Sequence, residues 1–149
     1  MSVHADAALM ALDAFASGEV DVLDQLHAAD YVDHTPLPGL SAGRSGLRER
    51  AMVLSSAFYD TCVSAVVLVD QGDTVVLQAR ARGVHKGDFL GQAATGRQVE
   101  AVGLCVFRFV DGLISQAWSS FEYSSPQPAA RESYLPRVRG PVQYLAAMA

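Results

Sequence analysis

The sequence has no run of lysine or arginine, only scattered basic residues, and its formal net charge is −5. A protein that tracks a phosphate backbone needs clustered cations, so nucleic acid is not an expected partner. Cysteine is also sparse. Cys62 and Cys105 stand far apart, with no Cys-x-x-Cys pair and no Cys/His cluster, which argues against a disulfide framework and a structural zinc site. No apolar run approaches the length of a bilayer span. The opening MSVHADAALMALDAF carries acids where a secretory signal has a basic region. These absences lead to the expectation of a soluble, cytoplasmic protein that makes no membrane contact.

Several catalytic signatures are missing as well. There is no Gly-x-Ser-x-Gly elbow for a serine nucleophile and no Rossmann fingerprint. GRSGLRER looks superficially like a phosphate loop, but it lacks the Gly-Lys-Ser/Thr ending and no strand closely precedes it. Redox and ATP chemistry therefore have no basis in the sequence.

What is present is a chain of 149 residues, half of them hydrophobic and 18% charged, enough for one domain with one core. Residues 4 to 16 read as a helix with Ala8, Leu9, Leu12 and Phe15 on one stripe and Gly18 ending it. Asp21 can cap a second short helix that buries Leu23 and Leu26. YVDH reads as a strand stopped by the Pro36–Gly39 segment. Burial of Val32 would turn His34 inward, but a sheet enclosing a cavity can be apolar on both sides. Alternation alone therefore leaves open whether Tyr31 and Asp33 or Val32 and His34 face inward. A third helix is expected from about Ser45 to Phe58, with Leu47, Ala51, Leu54 and Phe58 on one face.

The rest is strand-like. VSAVVLVD ends at the turn signal DQGD. In TVVLQARARGVH, Gln78, Arg80 and Arg82 face one way, and Val75, Leu77, Ala79, Ala81, Gly83 and His85 the other. QVEAVGLCVFRFV and LISQAWSSFEY flank Asp111-Gly112, a strong hairpin signal. Helices followed by antiparallel strands predict an α+β fold with the helices on one face of a curved sheet. The domain is expected to span 1–125. Residues 126–149 would form a proline-broken extension, with a final helix in PVQYLAAMA, lying on the domain or on a partner subunit.

Small residues along the apolar side of the 74–85 strand leave room for a concave pocket. His85 sits at its lip, where an imidazole could exchange protons near neutral pH, or could simply bond to loop backbone. Asp33 and His34 are neighbours on a strand, so their side chains face opposite ways and only one can enter a pocket. Glu122 is a second candidate acid, or else a solvated one at the sheet end. Cys105 reads as a buried thiol with no base beside it. Trp118 and Tyr123 read as core or interface residues.

Taken together, YVDHTPLPG, GVHKGDFLG with TGR close behind, and GLCVFRFVDGLISQAW resemble the SnoaL-like polyketide cyclases of the nuclear transport factor 2-like (cystatin-type) superfamily. The resemblance covers roughly residues 5 to 123. It implies a cone-like α+β barrel, with three N-terminal helices against a curved, mostly antiparallel sheet that encloses a pocket, and homodimers formed through the outer sheet face. It also implies chemistry without cofactor or metal on a hydrophobic small molecule. A pocket acid/base removes a proton from an activated carbon, and ring closure follows.

Carried over by position, Asp33 falls on a pocket asparagine of those cyclases, His85 on the histidine of His-x-Gly, Cys105 on a second histidine, and Ser119 on the catalytic aspartate. A serine cannot replace that carboxylate as general base. The resemblance therefore implies that Asp33 faces inward beside Tyr31 and has taken over proton transfer. His85 would be its partner, Glu122 the reserve acid, and Tyr31 and Ser119 hydrogen-bond donors. His34 would anchor the TPLPG loop. Phe58, Val75, Leu77, Phe107 and Trp118 are candidate apolar walls. Ring closure by aldol reaction or by hydroxyl addition to an epoxide or enone is the leading expectation. Isomerisation or hydroxylation in the same pocket is one alternative, and a non-catalytic binding or dimerisation module is another.

Overall fold

The computed structural model describes residues 1–89 and 91–124. The expected extension over 126–149 and its final helix lie outside the described residues.

Helix α1 spans Val3–Ser17. The Ser2 hydroxyl accepts the Ala5 N–H at 3.1 Å, and Gly18 ends the helix with φ 75°, a left-handed conformation that glycine adopts without cost. The buried stripe differs from the expected one. Ala5, Ala8, Ala11 and Ala14 pack into the core, and their small side chains let the helix approach its neighbours closely. Leu12 and Phe15 are only half-buried because they border an internal hollow.

Helix α2, Val20–Leu26, begins one residue before the expected cap. Glu19 is its N-cap, without a side-chain bond, while Asp21 lies in the first turn, where its charge favours the helix dipole. Strand β1 then runs over His27–Asp33, longer than YVDH alone. His27, Tyr31 and Asp33 are buried, whereas Val32 is 39% exposed. Of the two alternatives that alternation left open, Tyr31 and Asp33 take the inward positions. Helix α3 spans Arg44–Ala57 and buries Gly46, Leu47, Ala51 and Ala57.

Four antiparallel-paired strands complete the fold: β2 (Phe58–Gln71), β3 (Thr74–His85), β4 (Gln98–Val110) and β5 (Leu113–Ser124). β2 begins five residues earlier than expected, and its pairing with β3 is irregular between Tyr59 and Cys62, where Asp60 has φ 53°. A bulge there hides the strand's period-2 pattern. Asp111 and Gly112 both have positive φ, as a type I′ hairpin turn requires. The strand order is β1-β5-β4-β3-β2, with β1 parallel to β5. The curved sheet is therefore open, with β1 and β2 at its edges, rather than a closed barrel.

The alternation expected in β3 is observed: Val75, Leu77, Ala79, Gly83 and His85 are buried, while Arg80 and Arg82 are exposed. Val75 and Leu77 are fully buried core residues and not cavity walls. The 86–97 loop is held against α3, where the Lys86 and Gly87 N–H groups both donate to the Ala57 carbonyl at 2.8 and 3.0 Å. A Cβ at Gly87 would lie 2.6 Å from the Ser56 carbonyl oxygen, so only glycine fits there.

Candidate active site

Two adjoining hollows open between the helices and the inner face of the sheet. The first holds about 710 Å³ of empty space, including its mouth, and is walled by α1, α3 and the small residues Ala79, Ala81, Gly83 and Ala101. Phe58 and Tyr123 also border it. The second holds about 540 Å³ and is bordered by Tyr31, Asp33, Cys105, Phe107, Trp118 and Ser119. Leu12, Phe15, Arg50 and Phe121 line both. Arg50 is the only polar residue of these four.

Asp33 is 5% exposed although it is a carboxylic acid. Its Oδ1 accepts the Thr35 N–H at 2.9 Å and lies 3.3 Å from the Thr35 hydroxyl. Its Oδ2 lies 3.5 Å from an Arg50 terminal nitrogen, and the two side chains are 11% and 6% exposed for Arg50 and Asp33 respectively. β1 presents Asp33 inward, and the Thr35 backbone closes a local turn on its carboxylate. Ser119 reaches the same spot from β5. Its N–H donates to the Thr35 hydroxyl at 2.8 Å, and the two hydroxyls are 3.3 Å apart. Thr35 thus bridges Asp33 and the position where the resemblance puts the cyclases' aspartate.

Arg50 escaped the sequence reading, and its signal was there: an arginine inside the Leu47–Ala51–Leu54 stripe of α3. It donates to the Thr35 carbonyl at 3.4 Å and lies 5.5 Å from the centre of the Phe15 ring. Its buried Nε has no hydrogen-bond partner among the described residues.

The other sequence candidates divide. Burial, reinforced by the Asp33 charge, raises the Tyr31 hydroxyl well above its ordinary range and keeps it a proton donor. Burial likewise raises Tyr123, with Arg50 pulling the other way. His34 is exposed; it stacks on Trp118 with centroids 4.4 Å apart and bonds to the Gln116 side-chain oxygen at 2.9 Å. It thereby ties the start of the TPLPG segment to β5. Glu122 is exposed, on the face of β5 opposite Phe121 and Tyr123, so the reserve acid does not reach either hollow.

His85 is 4% exposed but is absent from the lining of both hollows. Its Nδ1 lies 3.1 Å from the Thr95 hydroxyl, and its main chain pairs with Arg97 and Gly96. The structure therefore does not bring Asp33 and His85 around one cavity. The bonds that His85 makes fix the loop at the strand end, while its buried Nε2 has no hydrogen-bond partner among the described residues.

Burial pushes the Cys105 thiol up to about 12, whereas Cys62 is exposed. Only Cys62 is expected to react quickly with an aromatic disulfide reagent, with Cys105 following on unfolding. Fast titration of both thiols in the native protein would contradict this placement.

His27 also lines the second hollow, with its Nδ1 2.7 Å from the Leu23 carbonyl and its ring edge-on to Tyr31. Burial lowers its pKa below the ordinary 6.5. The folded state therefore favours neutral imidazole. Its contribution is complete above the unfolded value and is lost as pH falls through that value toward the lower folded one. The urea midpoint should drop between about pH 7.5 and about pH 5, and by less in His27→Asn, which keeps a donor for Leu23. Equal drops would show that His27 is not the group responsible.

Among the described residues no group of three or more His, Cys, Asp or Glu side chains is placed to hold a metal ion. No helix among them is long and apolar enough to cross a membrane.

Two adjoining, largely apolar hollows thus lie between three helices and an open curved sheet, with the buried Asp33 carboxylate facing Arg50 of α3. The family model for SnoaL-like polyketide cyclases matches residues 5–128, and the chain belongs to this family. The structure of wild-type IdmH from Streptomyces antibioticus, named as a candidate polyketide cyclase, is 30% identical; the match covers 80% of this chain and 91% of that one, with a TM-score of 0.68. TsrD from Streptomyces laurentii is 24% identical, with 91% and 92% covered and a TM-score of 0.71. AclR from Streptomyces galilaeus, named as a candidate hydroxylase, is 19% identical, with 80% and 88% covered and a TM-score of 0.69. These last two show the shared fold. A comparison with curated proteins finds no significant match.

Proposed function

We propose that the protein is an acid/base enzyme that closes a ring in a hydrophobic polyketide-type intermediate, with Asp33 as the proton-transfer group and no cofactor. The observation that carries this reading is the Asp33 carboxylate, 5% exposed and bordering a largely apolar hollow beside Arg50. A carboxylate held there has few water molecules to compete for the proton it removes, and its neighbours fix its orientation. Asp33 takes a proton from an activated carbon of the bound substrate. Tyr31 and Ser119 offer hydrogen bonds to its oxygens. The carbanion equivalent then attacks an electrophilic carbon of the same molecule, and the apolar walls Phe15, Phe107 and Phe121 hold the two ends close.

Family membership supports this reading, as does the likeness to a candidate polyketide cyclase at 30% identity. His85 has no role in the chemistry under this proposal; its place at the strand end makes it a support for the 86–97 loop. The test is to incubate the protein with linear poly-β-ketone esters and weigh the products. Ring closure conserves mass or loses one water. A gain of one oxygen would identify hydroxylation instead and end the proposal.

A further inference from the structure

Arg50 is placed where a simple ion-pair partner of Asp33 would not be. A guanidinium paired bidentately with a carboxylate makes two short contacts, at roughly 2.7–2.9 Å. Here one terminal nitrogen reaches Oδ2 at 3.5 Å, and the same nitrogen reaches the Thr35 carbonyl at 3.4 Å. Both contacts are long, and the guanidinium also meets the Tyr123 side chain. The Nε on the other edge of the fork is buried without a partner among the described residues. The group sits at the junction of the two hollows, below the Phe15 ring, and is the only charged residue common to both linings. A ligand that occupies both hollows lies against residues that include Arg50.

We propose that Arg50 is the oxyanion-binding residue of this pocket, receiving the substrate oxygen that becomes negative when Asp33 removes a proton. This rests on the role given to Asp33 above. In that step a C–H bond breaks, an O–H bond forms on Asp33, and the electron pair moves onto a carbonyl oxygen to give an enolate. Negative charge leaves Asp33 and arises on the substrate within reach of the same guanidinium, so Arg50 exchanges one anionic partner for another. The pocket stays electrically balanced throughout, which is how a low-dielectric site favours the charged intermediate. The substrate class follows: an apolar body with a ketone or β-dicarbonyl near its middle, so that its oxygen meets Arg50 while its ends occupy the two hollows.

The test is a binding measurement that needs no turnover, comparing 2-naphthoate, an inert oxyanion, with the neutral 2-naphthamide by calorimetry. Asp33→Asn imitates the protonated base and should bind naphthoate about tenfold or more tighter than the wild type does. Adding Arg50→Met to Asp33→Asn should remove that gain. The double variant strands no charge, so its fold is not placed at risk by an unpaired carboxylate. Naphthamide affinity should stay within about threefold in all three proteins. Absence of the gain in Asp33→Asn, or a gain that survives loss of Arg50, overturns the proposal. Because binding is read apart from turnover, a failure of ring closure leaves this result standing on its own.

Discussion

Replacing Asp33 with asparagine is expected to reduce turnover of a ring-closing substrate by about 10²- to 10⁴-fold, the range lost when a positioned general base is removed. The substitution changes almost nothing in size. An asparagine oxygen can still accept the Thr35 N–H that now meets Oδ1 at 2.9 Å, so β1 and its turn should persist. What disappears is the ability to take a proton. Substrate binding should therefore change little, and the loss should fall on kcat rather than KM. His85→Ala is the matching control: it lies outside both hollow linings and should lower stability more than it lowers kcat. Full kcat in Asp33→Asn, or a larger kcat loss in His85→Ala, would invert these assignments.

Gly103→Ala is expected to be strongly damaging although it adds only a methyl group. Gly103 lies in β4 opposite Phe121 of β5. A Cβ there would stand 2.0 Å from the Ser120 carbonyl oxygen and 2.8 Å from the Phe121 Cα. These are backbone atoms, so no rotamer change relieves the contact, and the two strands must separate. Overpacking of this kind costs about 1–3 kcal/mol or more. Phe121 lines both hollows and Ser119 borders the second, so the displacement reaches the pocket. A clear fall in the urea midpoint is expected, together with lower turnover. An unfolding free energy within about 0.3 kcal/mol of wild type would show that the strands are not held this tightly.

Much of the fold was legible because hydrophobic periodicity and turn chemistry agree with it. β3 and β4 occupy the segments that alternation marks, and the Asp111-Gly112 turn lies between β4 and β5. The misreadings have local causes. The irregular start of β2 conceals a strand pattern; in β1, alternation could not choose between the two faces, and the structure turns Tyr31 and Asp33 inward. Leu12 and Phe15 were expected in the core because periodicity finds a buried stripe but cannot separate packed interior from the wall of a hollow.

The site was less legible. Asp33 could be singled out as an acid on a half-apolar strand, but its partner could not. His85 stood out through a local motif, whereas Arg50 comes from a different element and meets Asp33 only after folding. An arginine in the middle of an apolar helical stripe was the one available sign. Its neighbours Arg48 and Glu49 are exposed, so the charged run around it gave no sign that Arg50 turns inward.

The central claim is that one carboxylate serves this cavity from β1 rather than from β5, and a rescue experiment addresses it most directly. Thr35 already links Asp33 to Ser119, with hydroxyl contacts of 3.3 Å to each. Turnover is measured for Asp33→Asn and for Asp33→Asn combined with Ser119→Asp. The account predicts near-complete loss in the first and recovery of at least about tenfold in the second, since a general base is restored to the same cavity. Undiminished turnover in Asp33→Asn would contradict it.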